Sequence, residues 1–208
     1  MENFIVLDVE ADIANQAPYN IGLVVANENK SILAKNFMLL NHMTENSNAM
    51  YAAENFAYYN THKQEFISCN TNEDFIVEFY CIINAFRVKN LYAYNVNFDW
   101  KKLCKLIPEN ELSQILTPRD IMTAAYFAIM DSPDYLNYCR ENNYKTEKGY
   151  PMATFEVVYR YYTKNSEYKE IHRGLNDALD EYDLLRRLGV KSKNGWKPIQ
   201  PWRRMGKI

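Results

Sequence analysis

The chain has 208 residues, 24 lysines and arginines against 26 acids, a formal net charge of −2, and 48% apolar residues. That is enough for one domain with a full core, and six glycines and seven prolines leave little material for long linkers. No run of 18 apolar residues occurs, so no membrane-spanning helix is expected. The N-terminal stretch carries Glu2, Asp8 and Glu10 in place of a basic segment and a long apolar run, which argues against a secretory signal and for a cytoplasmic protein. The four cysteines (Cys69, Cys81, Cys104 and Cys139) are widely spaced and form no Cys-x-x-Cys pair, which excludes a zinc ribbon and a disulfide framework.

In chain order, Phe4 to Glu10 reads as a strand. Ile21–Val25 and Ser31–Leu40 flank the polar turn Asn27-Glu-Asn-Lys30 and suggest a hairpin. Asn46–Tyr59 has weak helical character. Thr71–Phe86 is a clear helix: Thr71 with Asp74 resembles a capping box, although Glu or Gln is usual at the second position, and Phe75, Ile76, Phe79, Ile82, Ile83 and Phe86 recur at helical spacing. Leu91–Asn95 is a fourth strand, Phe98–Leu106 a helix ended by Pro108, and a fifth strand is expected just before Asp120. Ile121–Met130, Tyr135–Asn142, Thr154–Tyr162 and Asp177–Leu188 read as helices, the last with Leu179, Tyr182 and Leu185 or Leu188 turned inward and stopped by Gly189. Three strands able to pair antiparallel, followed by strands alternating with helices, define an α/β domain with a mixed five-stranded sheet flanked by helices.

Three stretches carry candidate chemistry. Asp8 and Glu10 lie two apart on a largely apolar strand, so both project to one face. Buried carboxylates need a partner or a cation, and a hard divalent ion suits two of them. Asn95, Phe98 and Asp99 follow the fourth strand, where open α/β sheets commonly place functional groups; Asn97 or Asp99 could equally cap the helix that starts there. His172 precedes Asp177 by five residues at the start of the last helix, where acids also favour the helix dipole.

Taken together, and in this order, these stretches resemble the motifs of the DnaQ-like 3′→5′ exonucleases of the DEDDh group, which have an RNase H-like fold. Asp8-x-Glu10 matches the first motif, Asn95-x-x-Phe98-Asp99 the second, and His172-x-x-x-x-Asp177-Ala178 the third, so the resemblance spans nearly the whole chain. It implies two Mg²⁺ or Mn²⁺ ions held by Asp8, Glu10, Asp99 and Asp177, with Asp8 bridging both and Asp99 acting mainly through a water. It further implies His172 as general base, and Ala11, Asn95 and Phe98 beside the substrate's 3′ end. Asp120 is similar to a supporting acid at the end of the fifth strand. Ala11 stands where the family often has Thr, and Tyr94 where it often has His, which affects substrate preference more than chemistry. Arg173 occupies the place that the tyrosine-type variant fills with Tyr, so the histidine type fits better.

The resemblance thus implies a stand-alone exonuclease that releases nucleotides from a free 3′ end of nucleic acid, with DNA favoured and a polymerase or another replication or repair protein as a conceivable partner. The alternatives are an RNA trimmer resembling RNase T or oligoribonuclease, and a non-catalytic nucleic-acid-binding protein of the same fold, which the intact set of five residues disfavours. Residues 1–190 are expected to form the exonuclease domain and 191–208 a basic tail. Gly189–Ile208 holds six basic residues and no acid, leaving 18 bases against 26 acids in the rest of the chain, a net of −8. Such a tail, interrupted by Trp196 and Trp202, could hold a polyanion or dock on the body.

Overall fold

Alternation along the first strand decides the architecture. Ile5, Leu7 and Val9 of β1 (Phe4–Ala11) enter one hydrophobic core, and Phe4 and Val6 enter another, because successive strand side chains point to opposite faces. The computed structural model describes residues 2–12, 17–42, 51–189 and 205–208. Its central sheet has six strands: β1, β2 (Pro18–Ala26), β3 (Ser31–Leu39), β4 (Ile67–Cys69), β5 (Asn90–Ala93) and β6 (Thr117–Asp120), in the order β4-β3-β2-β1-β5-β6. β1 pairs antiparallel with β2 and β2 with β3, whereas β5 and β6 run parallel to β1 on the other side. The expected five strands form the contiguous body of the sheet. The sixth, β4, adds three residues parallel to β3 at the outer edge, too short a run to announce itself by alternation.

Helices cover both faces. α1 (Ala52–Thr61) precedes β4; α2 (Asn72–Phe86) and α3 (Val96–Leu103) pack on the face of Ile5, Leu7 and Val9. The Thr71–Asp74 capping box is present in full, and Phe75, Phe79, Ile82 and Ile83 are the buried stripe of α2. The opposite face is covered by α5 (Ile121–Ala125), α7 (Phe155–Thr163) and α8 (Gly174–Arg187). Between them, α5 runs on through a π-helical turn, Tyr126–Met130, into α6 (Pro133–Glu141).

Some boundaries differ from the sequence pattern. Pro108 ends nothing by itself: it caps the start of a further helix, α4 (Glu109–Ile115), since proline suits a helix entry. α8 starts at Gly174, not Asp177, so Asp177 lies within its first turn. Leu179 is 38% exposed, while Tyr182, Leu184 and Leu185 face the core. Of the weak helix expected over 46–59, the part from Ala52 onward forms α1; residues 46–50 lie outside the described residues. Residues 190–204, most of the basic tail, also lie outside them. The end of the tail is docked: Met205 is buried in the second core, and the Ile208 N–H donates to the Gly149 carbonyl at 2.9 Å. Among the described residues no helix is long and apolar enough to cross a membrane.

A close backbone contact joins β2 to the start of α8. A Cβ built on Gly22 would lie 1.9 Å from the Gly174 carbonyl carbon, and one on Gly174 would lie 2.5 Å from the Gly22 nitrogen. Both opposing atoms are backbone, so no side chain can swing aside. Gly22→Ala should therefore lower unfolding free energy by about 3 kcal/mol, the upper part of the usual range for overpacking, as read from denaturant midpoints; Ala at Gly206, whose Cβ would meet nothing, should leave the midpoint unchanged.

Candidate functional site

The face of β1 that carries Phe4 and Val6 continues to Asp8 and Glu10 as the strand leaves its apolar cover. Asp8 sits opposite Gly22 and Glu10 opposite Asn20 in the β1–β2 register, with a bulge between Glu10 and Ala11. Because Gly22 has no side chain, the first turn of α8 can lie directly on the sheet here. Asn20 locks it: its Oδ1 accepts the Gly174 N–H at 2.9 Å, while its Nδ2 donates to Asn36 Oδ1 at 2.7 Å and to the Phe37 carbonyl at 2.8 Å. Asp177, buried in that first turn, is thereby lowered toward β1.

His172 sits two residues before α8 in the left-handed region, φ 57°, an uncommon conformation that His adopts more readily than most residues. Two contacts from the start of α1 hold it. Its carbonyl accepts from Asn55 Nδ2 at 2.8 Å, and its ring stacks on Tyr51 with centroids 3.9 Å apart and planes 14° from parallel. The next residue, Arg173, lies over the Tyr58 ring at 3.6 Å. The result is a compact group: ligand atoms of Glu10, His172 and Asp177 all lie within 4.8 Å of one another.

Asp99 arrives from α3. It is 2% exposed, and its Oδ1 accepts the Val9 N–H of β1 at 3.0 Å, between Asp8 and Glu10. Asp99 is thus tied to the central strand. Asn95 occupies the N-cap position of α3 in the left-handed region, with no side-chain capping bond. The capping acceptor comes from β6: Asp120 Oδ1 takes the Val96 N–H at 3.1 Å, and its Oδ2 takes the N–H and hydroxyl of Thr123 at 3.1 and 2.6 Å. Asp120 therefore fixes the starts of α3 and α5 together. Asn95 and Phe98 are exposed at the mouth, Phe98 at 47%, and Ala11 is half-buried beyond the bulge.

A cavity of about 400 Å³ opens between these elements, lined by Asp8, Asp99, Tyr94, Phe155, Glu170 and Glu181 among others. The last two acids are additions to the sequence-derived set. Glu181 lies one turn after Asp177 on the same helix face, a spacing that could have flagged it; it is buried and accepts the Tyr94 N–H at 3.0 Å. Glu170 lies in an extended segment before His172, where no periodicity singles it out. Asn20, Gly22, Tyr51 and Asn55 were equally invisible, because each acts through a partner far away in sequence.

Burial and mutual repulsion raise these carboxyls. Asp8, Asp99 and Glu181 stand well above the ordinary carboxylate range, chiefly through burial; for Asp8 and Glu181 the Asp99 charge is the next cause. Burial and then Glu170 push Glu10 to about 7 and Asp177 to about 8, and burial followed by Glu156 takes Glu170 to about 7. His172 moves the other way, held below its ordinary value by burial. Two carboxylate oxygens, Asp8 Oδ2 and Asp177 Oδ1, are buried without a hydrogen-bond partner among the described residues. Buried polar atoms are nearly always satisfied, so a pair of orphaned oxygens inside an acidic, oxygen-rich pocket fits a hard divalent cation.

No family model matches the chain, and no curated protein matches it. Among solved structures, 29 chains match. One is the crystal structure of cell-death related nuclease 4 (CRN-4), with a TM-score of 0.53 and 13% identity over 90% of this chain and 64% of that one. This chain thus spans less than two thirds of that protein's length. The likeness and the sheet order together give the fold: a mixed α/β, RNase H-like sheet flanked by helices.

The raised carboxyls set a sign for stability. A carboxyl whose folded pKa exceeds its unfolded value favours folding below the unfolded pKa, and that contribution is lost as pH rises through the folded pKa. Glu10, Glu170 and Asp177 place this window between about pH 4 and pH 8. In EDTA the melting temperature should fall from pH 5 to pH 8, and millimolar Mg²⁺ or Mn²⁺ should restore it at pH 8 more than at pH 5, because a cation competes with protons for these oxygens. Differential scanning calorimetry across that range checks both directions.

Proposed function

We propose that the chain is a divalent-metal-dependent 3′→5′ exonuclease of the DnaQ-like, DEDDh kind. The observation that carries this reading is the pair of orphaned buried oxygens on Asp8 and Asp177 beside the Glu10–His172–Asp177 group. The likeness to a structure described as a nuclease supports the same reading at the level of the fold. Asp8, Glu10, Asp99 and Asp177 would hold two Mg²⁺ or Mn²⁺ ions, all oxygen donors in the pattern such ions prefer. Bound there, the ions supply a water nucleophile at neutral pH and charge relief on the leaving oxygen of a phosphodiester.

The remaining steps belong to the chain. His172, whose imidazole burial holds below its ordinary pKa, accepts the proton of the attacking water. Its left-handed backbone, the Asn55 hydrogen bond and the Tyr51 stack hold the ring at the mouth of the acid group. Asn95 and Phe98 meet the terminal nucleotide where the cavity opens, and Ala11 bounds it from β1. The substrate is nucleic acid with a free 3′ end, DNA being favoured and RNA the second arm of the test.

A 5′-labelled single strand incubated with Mg²⁺ or Mn²⁺ should give a descending ladder that EDTA abolishes, with matched DNA and RNA strands compared side by side. Cleavage of a closed circular strand at an equal rate would contradict an exonuclease. Substitutions should separate the roles. Asp8→Ala should lose metal binding, measured by calorimetric titration, together with turnover. His172→Ala should retain metal binding while turnover falls by ~10²–10⁴-fold, the usual contribution of a general base. A loss of metal affinity in His172→Ala as large as in Asp8→Ala would instead make the imidazole a ligand.

A further inference from the structure

The face of α3 turned away from the acid pocket borders a second groove, of about 710 Å³. Asn95 and Phe98 line both grooves, so the two adjoin at the exposed Phe98 ring. Their charges are opposite. The first is walled by Asp8, Asp99, Glu170 and Glu181. The second is walled by Lys101, Lys102 and Lys105, with Glu109 as its one acid. Glu109 is engaged at the far wall, where its Oε1 accepts the indole N–H of Trp100 at 3.4 Å.

The lysines differ in setting. Lys102 is 3% exposed, with its ammonium over the Phe98 ring at 4.7 Å. Lys101 and Lys105 are exposed, and neither forms an ion pair among the described residues. Lys101 lies in the last turn of α3 and Lys105 in the turn that follows it, four residues on. The two exposed cations, Lys101 and Lys105, repel one another and suit a polyanion, whereas the acid pocket alone would repel one. A nucleic-acid strand needs this arrangement if its 3′ end is to reach the carboxylates: the cost of approaching them is offset by phosphates neutralised nearby. Exposed Phe98, stacked with a cation between the two grooves, offers a ring face to a base.

We propose that the lysine groove at the end of α3 and the turn after it is the track that binds the backbone phosphates of a single nucleic-acid strand on the 5′ side of the nucleotide entering the acid pocket. The proposal rests on the nuclease reading of that pocket, and it assigns Lys101 and Lys105 to phosphate contacts and Phe98 to the junction.

The test compares wild-type protein with Lys101→Ala/Lys105→Ala by fluorescence anisotropy on a 5′-labelled 12-nucleotide single strand. Binding is measured in EDTA, so that no divalent ion supports cleavage, over a range of salt concentrations; strand degradation is measured separately in Mg²⁺. Both lysines are exposed, so the variant should keep the wild-type melting temperature. Its affinity should fall about 10-fold or more, and the log–log salt slope should become shallower by about 1.4, from two contacts at ~0.7 each for single strands. Unchanged affinity and slope in the folded variant overturn the track, as does equal competition by poly-glutamate, which would mean a groove for any acidic polymer. A variant that melts early is replaced by Lys101→Gln/Lys105→Gln, read by the same two quantities. The two readings fail separately. Lysine-dependent binding without any degradation by the wild type sinks the nuclease reading and leaves the track standing; degradation with an unaltered KM in the variant sinks the track alone.

Discussion

Everything at the site depends on two backbones touching. Gly22 on β2 and Gly174 at the start of α8 approach so closely that neither has room for a Cβ. Gly22 is the residue paired with Asp8, and Asp177 follows Gly174 by three residues. The missing side chains therefore set how near the last helix comes to the first strand, and with it the separation of the carboxylates they carry. Asn20 secures the approach with one side-chain bond to the Gly174 N–H and two to β3. A larger residue at either glycine would lift α8 from the sheet and carry Asp177 away from Asp8 and Glu10.

A second set of contacts does the same for the other half of the pocket. Asp120 at the end of β6 holds the first turn of α3 against the sheet, and Asp99 reaches the Val9 N–H of β1. Glu181 ties α8 to the Tyr94 N–H at the end of β5. α3, α8 and β6 are thus tied to one another and to β1 and β5 through hydrogen bonds accepted by the acids themselves. Each bond favours an ionised carboxylate, while burial disfavours it, and burial prevails. The pocket is consequently a store of unfavourable charge that a cation can relieve, and this couples folding stability to metal binding and to pH.

Charge is divided across α3 and the turn that follows it. Asp99 faces the sheet and is buried; Lys101 and Lys105 face outward. Phe98 stands between them at the junction of the two grooves. One short stretch therefore places a buried carboxylate on one side of Phe98 and exposed ammonium groups on the other. The overall acidity of the chain outside its basic C-terminal stretch makes such a local cationic strip the more consequential.

Much of this was legible in the sequence, and the reason is periodicity. The alternation in Phe4–Glu10, the capping box before α2 and the helical stripe Phe75–Ile83 are local patterns, and local patterns survive without a fold. The five residues Asp8, Glu10, Asp99, His172 and Asp177 could be picked out because their spacing within each motif is local too, and the structure brings them to one strand end. What no window of sequence contains is a contact between distant segments. Asn20 and Gly174 are 154 residues apart, the Asn55 bond to His172 spans 117, and Glu170 and Glu181 become site residues only once α8 is laid on β1. The sequence by itself determined most of the elements, their order and four of the acids that cluster; the tertiary structure alone added β4, α4, Glu170 and Glu181 and decided how closely α8 approaches β1, because that distance is set by two glycines whose only signal is what they lack.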